Sequence, residues 1–108
     1  MRIHTHGLKD DTRVFARHLA RKRIERVLGR TVRHLERITV RLGDLNGPRG
    51  GVDKFCAIDL TTRNGLNVRV RARHDDLQAA VQDAAGRARR SLYKALDRQR
   101  CVFRRAAP

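Results

Sequence analysis

Apolar and polar residues alternate over the first six positions. Met1, Ile3 and Thr5 fall on one side and Arg2, His4 and His6 on the other, a period of two that predicts a short strand. Gly7 to Asp11 is a polar turn, and Asp11 or Thr12 is placed to cap a helix that starts near Arg13. That helix is predicted over residues 12 to 34, with a weak point at Gly29. Phe15 and Leu19 are four apart, and Ile24, Leu28, Val32 and Leu35 follow at steps of four, four and three. The two sets do not share one straight stripe. A bend near the middle, or a break at Gly29, is needed to bring both to a core.

Clean alternation returns from Arg37 to Leu45, with Ile38, Val40 and Leu42 inward and Thr39, Arg41 and Gly43 outward. Asn46-Gly47-Pro48-Arg49-Gly50-Gly51 is a turn, too rich in Gly and Pro for a regular element. A third strand is predicted from Lys54 to Thr62, with Cys56, Ile58 and Leu60 on one face. Asn64-Gly65 is a tight-hairpin signal, and Leu66 to Ala72 forms a fourth strand with Asn67, Arg69, Arg71 and Arg73 on its other face. Asp75, with Gln78 three residues on, is a candidate capping box for the last helix. There Leu77, Val81, Ala84, Ala88, Leu92 and Ala95 form an apolar stripe. The predicted fold is α+β, in the order β-α-β-β-β-α: a four-stranded sheet with both helices on one face.

Size fits this picture. A chain of 108 residues, 40% apolar, makes one domain with a modest core. We expect the domain over residues 1–100 and a short basic tail over 101–108. Charge adds the functional clue. Lys and Arg number 26 against 11 Asp and Glu, a formal net charge of +15, and only Lys9, Lys22, Lys54 and Lys94 are lysines. Such a chain repels itself unless its partner is a polyanion, and nucleic acid binding is driven by counterion release. Arg also forks onto phosphate, stacks on bases and stays charged. Trp is absent and Phe and Tyr together number four, which argues against the several stacking platforms of RRM or OB folds. No run of about 18 apolar residues exists to span a membrane, and the start has no apolar signal segment. A cytoplasmic location follows, with Cys56 and Cys101 as unpaired reduced thiols.

Arg87, Arg90, Lys94 and Arg98 are spaced three, four and four apart on the last helix. They share an arc of roughly 80°, some 110° from the apolar stripe. Few acids interrupt the row, which favours phosphate tracking over a merely solvated face. Arg13, Arg17 and Arg21 form a similar row on the first helix. Helices lying side by side would join the two rows into one surface. Arg69, Arg71 and Arg73 lie on the opposite sheet face, as a second contact or a solubilising surface. The Gly-rich segment lacks the G-x-x-x-x-G-K-[ST] pattern of a nucleotide-binding loop. His4 and His6 share a strand face, but spacing places no third ligand, so no metal or cofactor is expected. No Ser-His-Asp, Cys-His or paired-carboxylate arrangement stands out, and no enzymatic activity is expected.

Three stretches resemble the short ribosome hibernation-promoting factors, the family that includes ribosome-associated inhibitor A. They are Met1-Arg2-Ile3-His4 leading into the first helix, Arg37 through Lys54, and Asp76-Leu77-Gln78-Ala79-Ala80-Val81 followed by the basic helix. The chain departs from the family pattern at Gln78, where a Tyr is usual, at Gln82, where an acid is usual, and at Gly86 inside the helix. The resemblance implies a fold close to the double-stranded RNA-binding domain. It also implies binding to 16S rRNA in the small-subunit channel used by mRNA and tRNA, with silencing of the ribosome. The residues implied are Arg17, Arg21, Lys22, Arg87, Arg90 and Lys94, and Arg98 joins the expected rRNA-binding set as the next of its helical row. The small ribosomal subunit and 16S rRNA are then the partners, with no membrane, no small-molecule substrate and a monomeric free protein. The competing reading is a general nucleoid-type DNA- or RNA-binding protein.

Overall fold

Alternation of branched apolar and polar residues produces four strands: β1 (Arg2–His6), β2 (Leu35–Asp44), β3 (Lys54–Thr62) and β4 (Asn67–His74). They make one sheet in the order β1-β2-β3-β4. The computed structural model describes residues 1–45 and 53–106, so the Gly-rich turn predicted over 46–51 lies outside the described residues. β1 runs parallel to β2, and the other neighbours are antiparallel. A parallel pair requires a crossover, which α1 (Asp10–Leu28) supplies; α2 (Leu77–Ala106) follows β4. α1 packs on β1 and on α2, and α2 packs on β3 and β4. The fold is therefore the α+β arrangement expected, with both helices covering one face.

The covered face is built in register. Ile38, Val40 and Leu42 on β2 lie opposite Leu60, Ile58 and Cys56 on β3, and Val68 and Ala72 extend the layer onto β4. All of these are buried, as is Ile3 on β1. The helices meet the sheet with small residues: Ala16 and Ala20 on α1, and Ala80, Ala84, Ala85 and Ala88 on α2, alongside Val81 and Leu92.

α1 departs from its predicted pattern. Its buried row is Ala16, Ala20, Ile24 and Leu28, at steps of four, whereas Phe15 is 61% exposed. Alanines occupy the positions that touch the core, so the helix needs no bend to bring Phe15 inward. The break at Gly29 does occur. Gly29 adopts φ +52°, where a side chain would be strained, and its N–H donates to the Glu25 carbonyl. A 3-10 turn over Gly29–His34 then leads to β2. The N-terminal cap is corrected too. α1 begins at Asp10, with Lys9 as the capping position and no side-chain cap bond. Asp11 and Thr12 lie within the helix. Asp10 and Asp11 sit in the first turn, where the helix dipole favours negative charge.

Three more boundaries move. α2 begins at Leu77 with the Ala80 N–H donating to Asp76 O, so Asp76 is the capping position and Asp75 and Gln78 lie one residue short of the capping-box positions. Residues 101–106, expected as tail, continue α2. The β3–β4 hairpin forms around Asn64-Gly65 with a longer turn than predicted. The Thr62 N–H donates to Leu66 O and the Gly65 N–H to Thr62 O. Only Gly65 of the turn has positive φ, at 90°. A two-residue turn would need positive φ at Asn64 as well. The turn is anchored: the Asn64 side-chain amide donates to Gln99 on α2, and Arg63 Nε donates to Arg33 O at 2.8 Å.

β4 is also tied to α2 by a polar cluster. Asp83 Oδ2 lies 2.9 Å from His74 Nε2, Asp83 Oδ1 accepts from Arg87 Nε at 2.9 Å, and Arg87 Nη1 donates to Arg71 O at 3.1 Å. The hydrogen bond with His74, and then the hydrogen bond and charge of Arg87, hold the Asp83 carboxyl below its ordinary value.

Three outcomes follow from this packing. A Cβ on Gly43 would lie 1.9 Å from the His6 carbonyl oxygen, which is backbone and cannot swing aside. Gly43→Ala should therefore weaken the β1–β2 pairing and lower stability by about 2 kcal/mol in urea denaturation; an unchanged midpoint would show that β1 adapts freely. Burial pushes the Cys56 thiol up to about 12. In a Cys101→Ser background, a thiol reagent at about pH 8 should react only after unfolding, and rapid native reaction would mean that the sheet opens. The third concerns Asp83. A depressed carboxyl contributes stability above its unfolded value, near 4, and loses that contribution as pH falls through the native value. Asp83→Asn should thus melt below the unsubstituted chain at about pH 5 and converge with it below about pH 3. A constant gap across that range would assign the effect to packing rather than charge.

Candidate nucleic-acid interface

The two helices lie side by side, and a groove of about 670 Å³ separates their outer surfaces. Arg23, Arg26 and Val27 line it from α1, and Gln82, Gly86, Arg89, Arg90 and Tyr93 from α2. At 100° per residue the α2 set spans an arc of roughly 100° facing away from the sheet. Four guanidiniums therefore converge on one groove, and its lining contains no acid. The guanidiniums of Arg23, Arg26 and Arg90 make no hydrogen bond or ion pair with any described residue. Arg89 lies over the Tyr93 ring, 5.5 Å from its centroid. The side chain absent at Gly86 leaves a notch, since a Cβ there would sit 3.3 Å from Arg90 Nη1.

The sequence-predicted residues divide among four places. Arg90 is in the groove. Arg87 is not: its guanidinium is held by Asp83 and the Arg71 carbonyl on the β4 side. Lys94 and Arg98 are exposed and follow Arg87 along that same outer flank by helical spacing. On α1, Arg17 Nη2 donates to Ile3 O at 3.1 Å, which turns it toward β1. Arg21, one turn on, is exposed. Lys22 lines a smaller depression with Phe15, His18, Leu19, Arg23 and Arg26.

The rows Arg13-Arg17-Arg21 and Arg87-Arg90-Lys94-Arg98 therefore do not merge into one surface. Apart from Arg90 they run along the outer flanks of the helix pair, and the space between is filled by Arg90 together with Arg23, Arg26 and Arg89. Arg23, Arg26, Arg89 and Tyr93 escape a reading by helical spacing, because their importance depends on which flank of each helix meets the other. The signal present in the sequence is Gly86, a helix-interior glycine beside Arg89 and Arg90. Among the described residues no group of three or more His, Cys, Asp or Glu side chains is placed to hold a metal, and no helix is long and apolar enough to cross a membrane.

Comparison with known proteins agrees with the fold. The structure resembles a ribosomal subunit interface protein from Coxiella burnetii, with a TM-score of 0.66 at 17% identity, covering 87% of this chain and 96% of the other. It also resembles the Protein Y N-terminal domain of Thermus thermophilus, with a TM-score of 0.52 at 19% identity, covering 82% of this chain and 93% of the other. No curated protein matches the chain in sequence. The family described as sigma 54 modulation protein / S30EA ribosomal protein matches residues 10–100. A match over that much of the chain, on this fold, makes it a member of that family, the hibernation-promoting factor family that its Arg37 to Lys54 stretch resembles.

Proposed function

We propose that this protein is a ribosome-associated translation inhibitor that binds 16S rRNA in the small-subunit channel used by mRNA and tRNA and silences the ribosome by occupancy. The observation that carries this reading is the acid-free groove where Arg23, Arg26, Arg89 and Arg90 converge between the helices. Four permanent charges spaced along a groove suit the phosphates of a folded RNA backbone, and Tyr93 adds a face for a sugar or base. Family membership supplies the ribosome as the source of that RNA. Counterion release gives the binding energy, and shape selects an A-form RNA surface. Inhibition then needs no chemistry, because a bound domain excludes mRNA and tRNA from the same volume. The flanking residues Arg17, Arg21, Lys22, Arg87, Lys94 and Arg98 extend the contact on either side.

The test is sedimentation with 30S and 70S ribosomes in a sucrose gradient at about physiological salt, with excess competitor DNA. The protein should travel with 30S and 70S. Replacing Arg23, Arg26, Arg89 and Arg90 by Gln should leave the fold intact, since none holds the core. The same change should flatten the dependence of log affinity on log salt by up to about 0.9 for each duplex phosphate that these arginines neutralise. Protein carried with the DNA would instead favour the nucleoid-type reading, and an unchanged salt slope would remove the groove from the interface.

A further inference from the structure

The sheet face opposite the helices is uncovered by any described element, and its chemistry is unusual for a solvent face. In register across the strands, His4, Arg41, Ala57 and Arg71 form one row. On either side lie Thr39, Asp59 and Arg69, and Gly43, Phe55 and Arg73. Ala57 is small, so Arg41 and Arg71 rise on either side of it, from strands two apart and so about 10 Å from each other. The result is a trough of about 640 Å³. Phe55 and Ala57 lie within it, and Arg41, Arg69, Arg71, His4 and His6 are around it.

The acids on this face are engaged. Asp59 pairs with Arg69 at 3.0 Å and Asp53 with Arg73 at 2.8 Å. The guanidiniums of Arg41 and Arg71 make no hydrogen bond or ion pair with any described residue and are exposed. A chain of net charge +15 has every electrostatic reason to neutralise two such neighbours, yet they are left unpaired across a floor that carries an aromatic ring.

We infer that this open face is a second RNA site that takes a single-stranded segment: Arg41 and Arg71 grip its phosphates and Phe55 stacks on a base. Three features select this occupant. Every formal cation on the face is Arg, the residue that both forks onto phosphate and stacks on bases. The apolar floor rewards a base and would stay uncovered under an acidic peptide. The walls are two strands apart, wide enough for one unpaired strand and too narrow to admit a duplex. The site lies across the sheet from the helix groove, so one protein can hold folded RNA on one side and an unpaired strand on the other. This inference rests on the sheet face alone and does not require the ribosomal reading of the groove.

The test separates the two faces. In a background where Arg23, Arg26, Arg89 and Arg90 are replaced by Gln, binding of a fluorescein-labelled oligouridine 12-mer is followed by anisotropy across a salt series. Binding should persist in that background. Adding Arg41→Thr and Arg71→Thr, both tolerated in strands, should weaken it at least tenfold and reduce the salt slope by about 1.4, or 0.7 for each single-strand phosphate no longer neutralised. Phe55→Val should weaken it about fivefold or more, with little change in slope. Circular dichroism and melting confirm that each variant folds. As a check that needs no variant, 4-thiouridine crosslinking to the unsubstituted chain should label peptides of β3 or β4. Loss of all binding in the groove background, an unchanged slope on replacing Arg41 and Arg71, or crosslinks confined to the helices would each overturn the proposal. So would polyglutamate competing as well per charge as oligouridine with no effect of Phe55→Val, which would assign the face to an acidic polypeptide.

Discussion

Repulsion among the protein's own arginines is the constraint around which the rest is arranged. With a net charge of +15 on 108 residues, each acid position decides where positive charge is tolerated and where it accumulates. The ion pairs are distributed unevenly. Asp44 with Lys54, Asp53 with Arg73 and Asp59 with Arg69 all brace β3 against its neighbours. Asp83, paired with Arg87 and hydrogen-bonded to His74, joins β4 to α2, and Asp10 with Arg13 closes the first turn of α1. None of these acids lines the groove between the helices. The sheet is thus relieved of part of its self-repulsion while the helix groove keeps all of its own. Partly exposed pairs of this kind add little stability each; their larger effect is on the shape of the field, which is concentrated where a polyanion can enter.

Such a field requires helices close enough to present their arginines together, and that follows from side-chain size. Ala16 and Ala20 on α1 and Ala80, Ala84, Ala85 and Ala88 on α2 allow near approach to the sheet and to one another. The larger apolar groups sit in the sheet and toward the helix ends, as Ile24, Leu28, Leu92 and the β2 and β3 residues. Alanine is also the residue that favours a helix most, so one choice serves local propensity and packing together.

Side-chain size also explains how much can be read from the chain itself. The strands are legible because β-branched and apolar residues at a period of two leave little choice of face; the buried set Ile38, Val40, Leu42, Cys56, Ile58 and Leu60 is the predicted one. α1 misleads because Phe15 and Leu19 dominate its pattern, whereas the core takes Ala16 and Ala20. Alanine carries too little hydrophobic signal to mark a buried stripe against a neighbouring Phe. The candidate site is legible as arginine rows on each helix but not as a groove. Helical spacing fixes which residues share a flank. It does not fix which flank meets the partner helix, and that depends on long-range packing between residues some sixty positions apart.

Gly86 brings the local and global constraints into conflict. A glycine inside an exposed helix surface costs roughly 1 kcal/mol relative to alanine, and nothing in the core requires it, since its neighbours Ala84, Ala85 and Ala88 do the packing. Its backbone φ is ordinary for a helix, so conformation does not demand glycine either. What a methyl group would change is the groove: it would press against Arg90 at 3.3 Å and fill the notch between Arg90, Arg89 and Gln82. A glycine here weakens its own helix and leaves the floor of a cationic groove open, which suits the RNA contact proposed for that groove. The neutral Gln82 beside it acts in the same direction, because an acid at that position would offset one of the four arginines. The same logic distinguishes the open sheet face, where Ala57 keeps the floor low between Arg41 and Arg71. Two surfaces on opposite sides of the sheet therefore combine a small residue with exposed arginines, and in both the small residue leaves open the space that the proposed RNA contacts require.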